Sequence, residues 1–314
     1  SLSGSINRNF TLLGDPSLQL SYPKYNIKIQ EIDTLMAGGK VQLSGEIVDI
    51  NNIKIEDFNG EVFTEIYDKV SSKLTLGDES TPFPFREWDD LIFKGISSVI
   101  NGSFKVEFVV PSSIEYDYGK GKISLFATDT TNFLEAIDNE QVVIGGTSSE
   151  FNDDDIGPEI NIFIDDYNFI SGNRVSKSPL LIVDLFDKNG LNITESKTFH
   201  KMTAILNDTS EIYLNDYFSP LKDDYTSGSI RYPLNMLNPG KYRVEIKVSD
   251  NYNNMSTNSV VFIVGSENKL KISNLVNYPN PFSESTNFKF DNGELDQPLE
   301  IKLQIFDLRG NMVF

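Results

Sequence analysis

Few side chains in this sequence could do nucleophilic or metal chemistry. There is no cysteine and a single histidine, His200. A thiolate nucleophile, a zinc–thiolate site and a disulfide framework therefore have no residues to build them. Ser196 and Thr198 lie just before His200 and invite a Ser-His-Asp reading. A triad is defined by converging geometry, not by the presence of its members. The plainer reading of His200 is a strand or loop residue after Phe199. Hard oxygen ligands are more plentiful: Asp153-Asp154-Asp155, Asp165-Asp166, Asp223-Asp224, and Asp250 with Asn251 and Asn253. They invite a calcium reading, yet none has EF-hand spacing, and solvated linker and loop charge is the default reading. Aromatic pairs could stack on sugars: Tyr116 with Tyr118, Tyr213 with Tyr217, Phe85 with Trp88. Rings are equally ordinary on sheet faces. No catalytic, cofactor or metal residue is assigned on these grounds.

The elements that must carry these residues have a period of two. Val41-Gln42-Leu43-Ser44-Gly45-Glu46-Ile47 alternates apolar with polar, as do Phe104–Phe108, Tyr242–Val248 and Ile301–Ile305. Each predicts a strand with one wet face. The denser runs Gln141–Ile144 and Leu180–Phe186 predict strands covered on both faces. Asn101-Gly102 predicts a hairpin between Ile96–Ile100 and Ser103–Val110, because both residues tolerate positive φ. Asn238-Pro239-Gly240 and Lys188-Asn189-Gly190 predict further turns. No segment holds a helical stripe for three turns; short helical turns are expected near Asp57–Tyr67 and Asn132–Ala136. The fold class expected is all-β, with serial immunoglobulin-like β-sandwiches.

Composition bounds the rest. Of 314 residues, 39% are hydrophobic, enough for genuine cores. The formal charge of −19 argues against nucleic acid and anionic membrane surfaces as partners. No apolar run reaches the roughly 18 residues of a membrane span. Ser1-Leu2-Ser3-Gly4 is no secretory leader, and Asn311-Met312-Val313-Phe314 falls within an apolar pattern. The chain is therefore expected to be part of something longer. Expected boundaries are a lead-in at 1–26, a first β-domain at 27–146, an acidic linker at 147–157, a second β-domain at 158–266, and a further β-domain, begun but incomplete, at 267–314. The linker, Thr147 to Gly157 closed by Pro158, is polar and acidic.

Three motifs carry a resemblance. Phe10-Thr11-Leu12-Leu13-Gly14-Asp15-Pro16-Ser17-Leu18, followed by Tyr22-Pro23, resembles the closing segment of a gingipain-like cysteine peptidase domain. Gly157-Pro158-Glu159-Ile160, then Leu180–Asp187, Gly190-Leu191-Asn192, Tyr232-Pro233-Leu234 and Asp250–Asn254, resemble the immunoglobulin-like domain behind that peptidase in type IX secretion sortases. Asp57–Gly60, Val109-Val110-Pro111 and Tyr116–Ser124 fit the same family. Tyr278-Pro279-Asn280-Pro281-Phe282, with Thr286-Asn287-Phe288 and Ile301–Gly310, resembles the start of the C-terminal domain of type IX secretion cargo.

The resemblance implies a parent peptidase at the outer-membrane surface. That parent removes the C-terminal signal of secreted cargo and can join the new carboxyl end to lipopolysaccharide. Its Cys and His cannot be carried onto this chain, so the chain is expected to be inert, with a structural and docking role and no cofactor. The partners implied are the upstream peptidase domain and outer-membrane secretion proteins, with Tyr278, Pro279, Asn280, Pro281 and Phe282 as the secretion or docking motif. The competing expectation is a surface adhesin or carbohydrate-binding β-sandwich protein.

Overall fold

A computed structural model describes residues 17, 22–78, 81–149, 154–194, 201–265, 273–291, 302–307, 309–310 and 312–313. The fold is all-β: the described residues contain strands and one short 3₁₀ turn, Asn215–Tyr217, and no α-helix.

The first β-domain contains β1 (Tyr25–Ile29), β2 (Leu35–Ala37), β3 (Lys40–Val48), β4 (Gly60–Tyr67), β5 (Ser71–Leu74), β6 (Pro84–Glu87), β7 (Leu91–Val99), β8 (Ser103–Val109), β9 (Gly119–Asp129) and β10 (Leu134–Thr147). Eight of these form one sheet in the order β7-β4-β9-β10-β1-β3-β8, with β2 also paired to β10. The two ends of that path, β7 and β8, are neighbours in sequence. Asn101-Gly102 joins them with φ of 49° and 70°, as a two-residue hairpin turn requires. Ile100 and Ser103 exchange both backbone hydrogen bonds across it, at 2.9 and 3.0 Å. Beyond that bridge β7 pairs with β4 and β8 with β3. The expected hairpin is thus a corner rather than a ladder, and it brings the two ends of a rolled sheet together. Gly102 fits because a side chain there would strain the backbone and run into the Ile55 carbonyl.

Alternation fills the inside of the roll. Phe104, Val106 and Phe108 of β8 point inward, and Phe108 stacks on Phe93 of β7 with centroids 4.4 Å apart. Burying one such ring contributes roughly 1.5–3 kcal/mol. Three local expectations are corrected here. Residues 60–67 are strand β4, not a helical turn: Val62, Thr64 and Ile66 turn inward between β7 and β9. Asn132 and Phe133 close an Asx-type turn and Leu134–Ala136 already belong to β10; the Asp129 carboxylate accepts from the Thr131 and Asn132 N–H groups at 2.9 and 3.1 Å. Gln141–Ile144 has one wet face, since Val142 and Ile144 are buried and Val143 is 44% exposed.

The second β-domain comprises β11 (Glu159–Ile164), β12 (Arg174–Val175), β13 (Leu180–Phe186), β14 (Thr203–Leu206), β15 (Ser210–Tyr213), β16 (Phe218–Leu221), β17 (Asp224–Pro233), β18 (Gly240–Ser249) and β19 (Met255–Val264). They form a four-stranded sheet, β11-β13-β17-β16, and a five-stranded sheet, β12-β19-β18-β14-β15. Ile160, Ile162, Leu181, Val183, Leu185 and Ile230 of the first share one core with Ala204, Val244, Ile246 and Phe262 of the second. This is a two-sheet sandwich held by packing without cysteine. Leu181, Ile182 and Val183 are buried in succession, as the dense run predicts.

The third unit is a ribbon of β20 (Ser273–Tyr278) and β21 (Asn287–Asp291). Leu275, Val276, Tyr278 and Phe288 are all exposed on it. No described helix is long and apolar enough to cross a membrane.

Candidate functional site

The two β-domains meet along a polar seam. Edge strand β7 has backbone groups that a sheet normally leaves open to foreign strands. The tip of the β16–β17 hairpin covers them. Asp223, at φ 60°, accepts from the Ser98 N–H and the Ser98 hydroxyl, both at 2.6 Å, and donates its own N–H to Ile96 O at 2.8 Å. Lys222 pairs with Glu61 at 2.9 Å. Lys40 lies over the Tyr225 ring, 5.6 Å from its centroid. Between these contacts a cleft of ≈ 280 Å³ is lined by Phe93, Ser97, Lys105, Glu107, Asp223 and Tyr225 among others.

At the other end of the seam, Ser112 and Ser113 are buried just after Pro111. The Ser112 N–H and hydroxyl both donate to Asn251 O, at 2.7 and 2.9 Å. Asn192 Nδ2 donates to Ser113 Oγ at 3.0 Å, and the Ser113 and Thr194 hydroxyls share a hydrogen bond of 3.2 Å. Tyr252 OH donates to Gly38 O at 3.4 Å. Buried polar groups of this kind hold a fixed register because each would lose its partner if the domains slid.

Behind this contact lies a carboxylate joint. Asp187 ends the β13 run, Asp250 opens the turn after β18, and Asp154 arrives from the linker. Asp154 accepts from Lys188 Nζ at 3.1 Å, from the Ile156 N–H at 3.1 Å and from Asn189 Nδ2. Asn254 Nδ2 also donates to the Asp154 carbonyl. Burial pushes its carboxyl up, but Lys188 and these donors hold it below the ordinary carboxylate value. Asp250 accepts from the Tyr252 N–H at 2.9 Å, the Asn254 N–H at 2.7 Å and Asn254 Nδ2 at 2.9 Å; burial still leaves it raised. The Asp187 carboxylate accepts only the Asn189 N–H, at 2.7 Å, among the described residues. Burial, followed by the charges of Asp250 and Asp154, pushes it up to about 6.

The sequence motif at 278–282 sits on the ribbon. Tyr278 ends β20 opposite Asn287, and Thr286 Oγ1 donates to Pro279 O at 2.9 Å, closing the loop that holds Asn280, Pro281 and Phe282. Both prolines follow cis bonds. Tyr278 is 77% and Phe282 55% exposed. Asn274 Nδ2 donates to Asp291 Oδ2 at 2.6 Å across the far end. Apart from their mutual pairing, β20 and β21 have no strand partner among the described residues. The motif is thus a pair of rings presented to solvent on a narrow support.

The remaining candidates scatter. Ser196, Thr198 and His200 lie outside the described residues, as do Asp153 and most of the Phe10–Leu18 stretch. Asp165 and Asp166 accept backbone N–H groups of Leu180 and Asn168 at 2.8 and 2.7 Å. Asp224 accepts the Thr226 N–H at 2.8 Å. No three His, Cys, Asp or Glu side chains among the described residues form a metal-ligand set. The aromatic pairs serve separate local contacts. Tyr116 OH donates to Ser112 O at 3.0 Å. Lys122 lies over Trp88, and Tyr217 packs edge-on against Tyr232. Sequence reading named Asp187 and Asn192 only within the runs that carry the resemblance, without a role at a domain contact, and did not name Ser112, Ser113 or Thr194. Nothing local marks a serine that will be buried between domains.

No protein-family model and no curated protein matches the chain. Solved structures do. Dimeric latent PorU from Porphyromonas gingivalis is 27% identical over 96% of this chain, with a TM-score of 0.48. Trypsin-activated α2-macroglobulin from Escherichia coli is 14% identical over 80% of this chain and 18% of its own, with a TM-score of 0.26. Red sea bream transglutaminase is 10% identical over 79% of this chain and 32% of its own, with a TM-score of 0.22. This chain spans 30% of the PorU chain that it matches.

Proposed function

We propose that this chain is the non-catalytic β-region of a type IX secretion sortase of the gingipain-like family. Its work is to hold a docking ribbon at a fixed distance from the peptidase. The order of motifs supports the reading: Gly14-Asp15-Pro16, then Gly157-Pro158 opening the sandwich, then Tyr278–Phe282. The observation that carries the docking role is the exposure of Tyr278 and Phe282 on a ribbon that has no further strand partner among the described residues. Large exposed rings cost solubility and are common where a partner covers them. The seam supports the spacer role, because bonded domains transmit position where a free linker would not. The full protein would act at the cell surface, against outer-membrane secretion proteins. The chain itself supplies no thiol, so cargo cleavage belongs to the upstream domain.

Pull-down of secretion partners with the full-length protein, with and without residues 267–314, tests this. Loss of the partner on deletion is the expected result. Equal recovery from both forms overturns the docking role.

A further inference from the structure

The seam and the carboxylate joint share their turns. Asn251 N–H donates to Gly190 O at 3.1 Å and Asn251 Nδ2 to Asn189 O at 2.9 Å, so the 250–254 turn rests on the 187–190 turn. The same Asn251 offers its carbonyl to both donors of Ser112 in the other domain. Any force that separates Asp187 from Asp250 therefore acts directly on the interdomain bond.

Such a force is built in. Asp250 is fully buried and Asp187 is 5% exposed. The charged groups acting on Asp187 among the described residues are Asp154 from the linker, Asp250 from the facing turn and Lys188 on its own turn; Tyr225 of β17 lies against Gly190 of the same turn, and Glu159 of β11 is in register with the preceding Phe186. Lys188 is the one cation in that set, and it is bonded to Asp154. Asn251 Oδ1 is also buried with no hydrogen-bond partner among the described residues, a second cost at the same place.

We propose that the Asp154–Asp187–Asp250 joint is a pH-responsive fastening between the two β-domains, tight when Asp187 holds a proton and looser when all three carboxylates are ionised. The direction follows from linkage. Asp187 is held above its ordinary value in the folded state, so its contribution is complete below about pH 4 and is lost as pH rises through about 6. A carboxyl moved from its ordinary value to about 6 sets an upper bound of about hundredfold on that loss, reached where opening of the joint returns Asp187 fully to water. Above pH 6 the curve levels.

Amide hydrogen exchange on the whole chain tests it, with protection at Ser112 and Asn251 followed from pH 4 to 8 and corrected for intrinsic rates. Protection at both should fall at least tenfold, and at most about hundredfold, between pH 4 and 7 and then level, while Leu125 in the first core holds steady. Asp187→Asn should flatten the curve, and Asp250→Asn should shrink it if the first variant fails to fold. A flat wild-type profile overturns the proposal. So does an equal loss at Val183 and Ile246, which would place the effect in the second core rather than at the fastening. Protection at pH 7.5 restored by calcium and removed by EDTA also overturns it, by making the carboxylates a cation site.

Discussion

The second sandwich and the 273–291 ribbon use the same alternation of side chains to opposite ends. In the sandwich, two sheets turn Ile162, Val183, Ile246 and Phe262 toward one another, and these side chains are buried. In the ribbon, Val276 and Tyr278 alternate just as regularly and remain exposed, because no second layer faces them among the described residues. A two-stranded ribbon is marginal in water alone. Period two therefore sets which residues share a face, while a covering layer decides whether that face becomes core or contact surface.

This contrast can be tested by removing side chains from each region. Phe262→Ala removes a fully buried ring that stacks on Tyr242 at 5.5 Å. It should cost about 3–5 kcal/mol in urea unfolding followed by fluorescence. A cost below about 1 kcal/mol would mean that the sandwich is not the rigid partner in the comparison. Asp223→Ala removes the acceptor for both donors of Ser98 at the seam, where water can replace it. About 1 kcal/mol is expected, with a larger radius of gyration by X-ray scattering as the domains loosen. An unchanged radius would show that the Ser112 end holds the seam alone. Alanine at both Tyr278 and Phe282 should change stability by less than about 0.5 kcal/mol in the same urea assay, since both rings are already wet. A larger cost would reveal packing that the exposed geometry denies.

How much the sequence disclosed depended on the range of the interaction. Val41–Ile47 and Tyr242–Val248 lie within β3 and β18, as their alternation predicts, because alternation is a property of neighbours in the chain. Asn101-Gly102 gave the corner correctly but not the pairing, since the partners of β7 and β8 are Gly60–Tyr67 and Lys40–Val48, far away in sequence. Gly60–Tyr67 was misjudged because Val62, Phe63, Ile66 and Tyr67 are spaced in a way that also fits a helix turn. The acidic pairs suggested solvated charge, whereas Asp223 and Asp154 found donors in other segments. Asp187 could not have been identified as a raised carboxylate, because the other two carboxylates acting on it, Asp154 and Asp250, lie far from it in the chain, one before it and one after. The exposure of Tyr278 and Phe282 was likewise invisible: the motif fixes ring spacing, not what covers the rings.

The docking claim is met most directly by comparing partner recovery on the full-length protein carrying Tyr278→Ala with Phe282→Ala against the unaltered form at matched surface abundance. Recovery should fall at least tenfold while the unfolding midpoint of the β-domains stays in place. Undiminished recovery with both rings gone would contradict the assignment of the ribbon as the docking element.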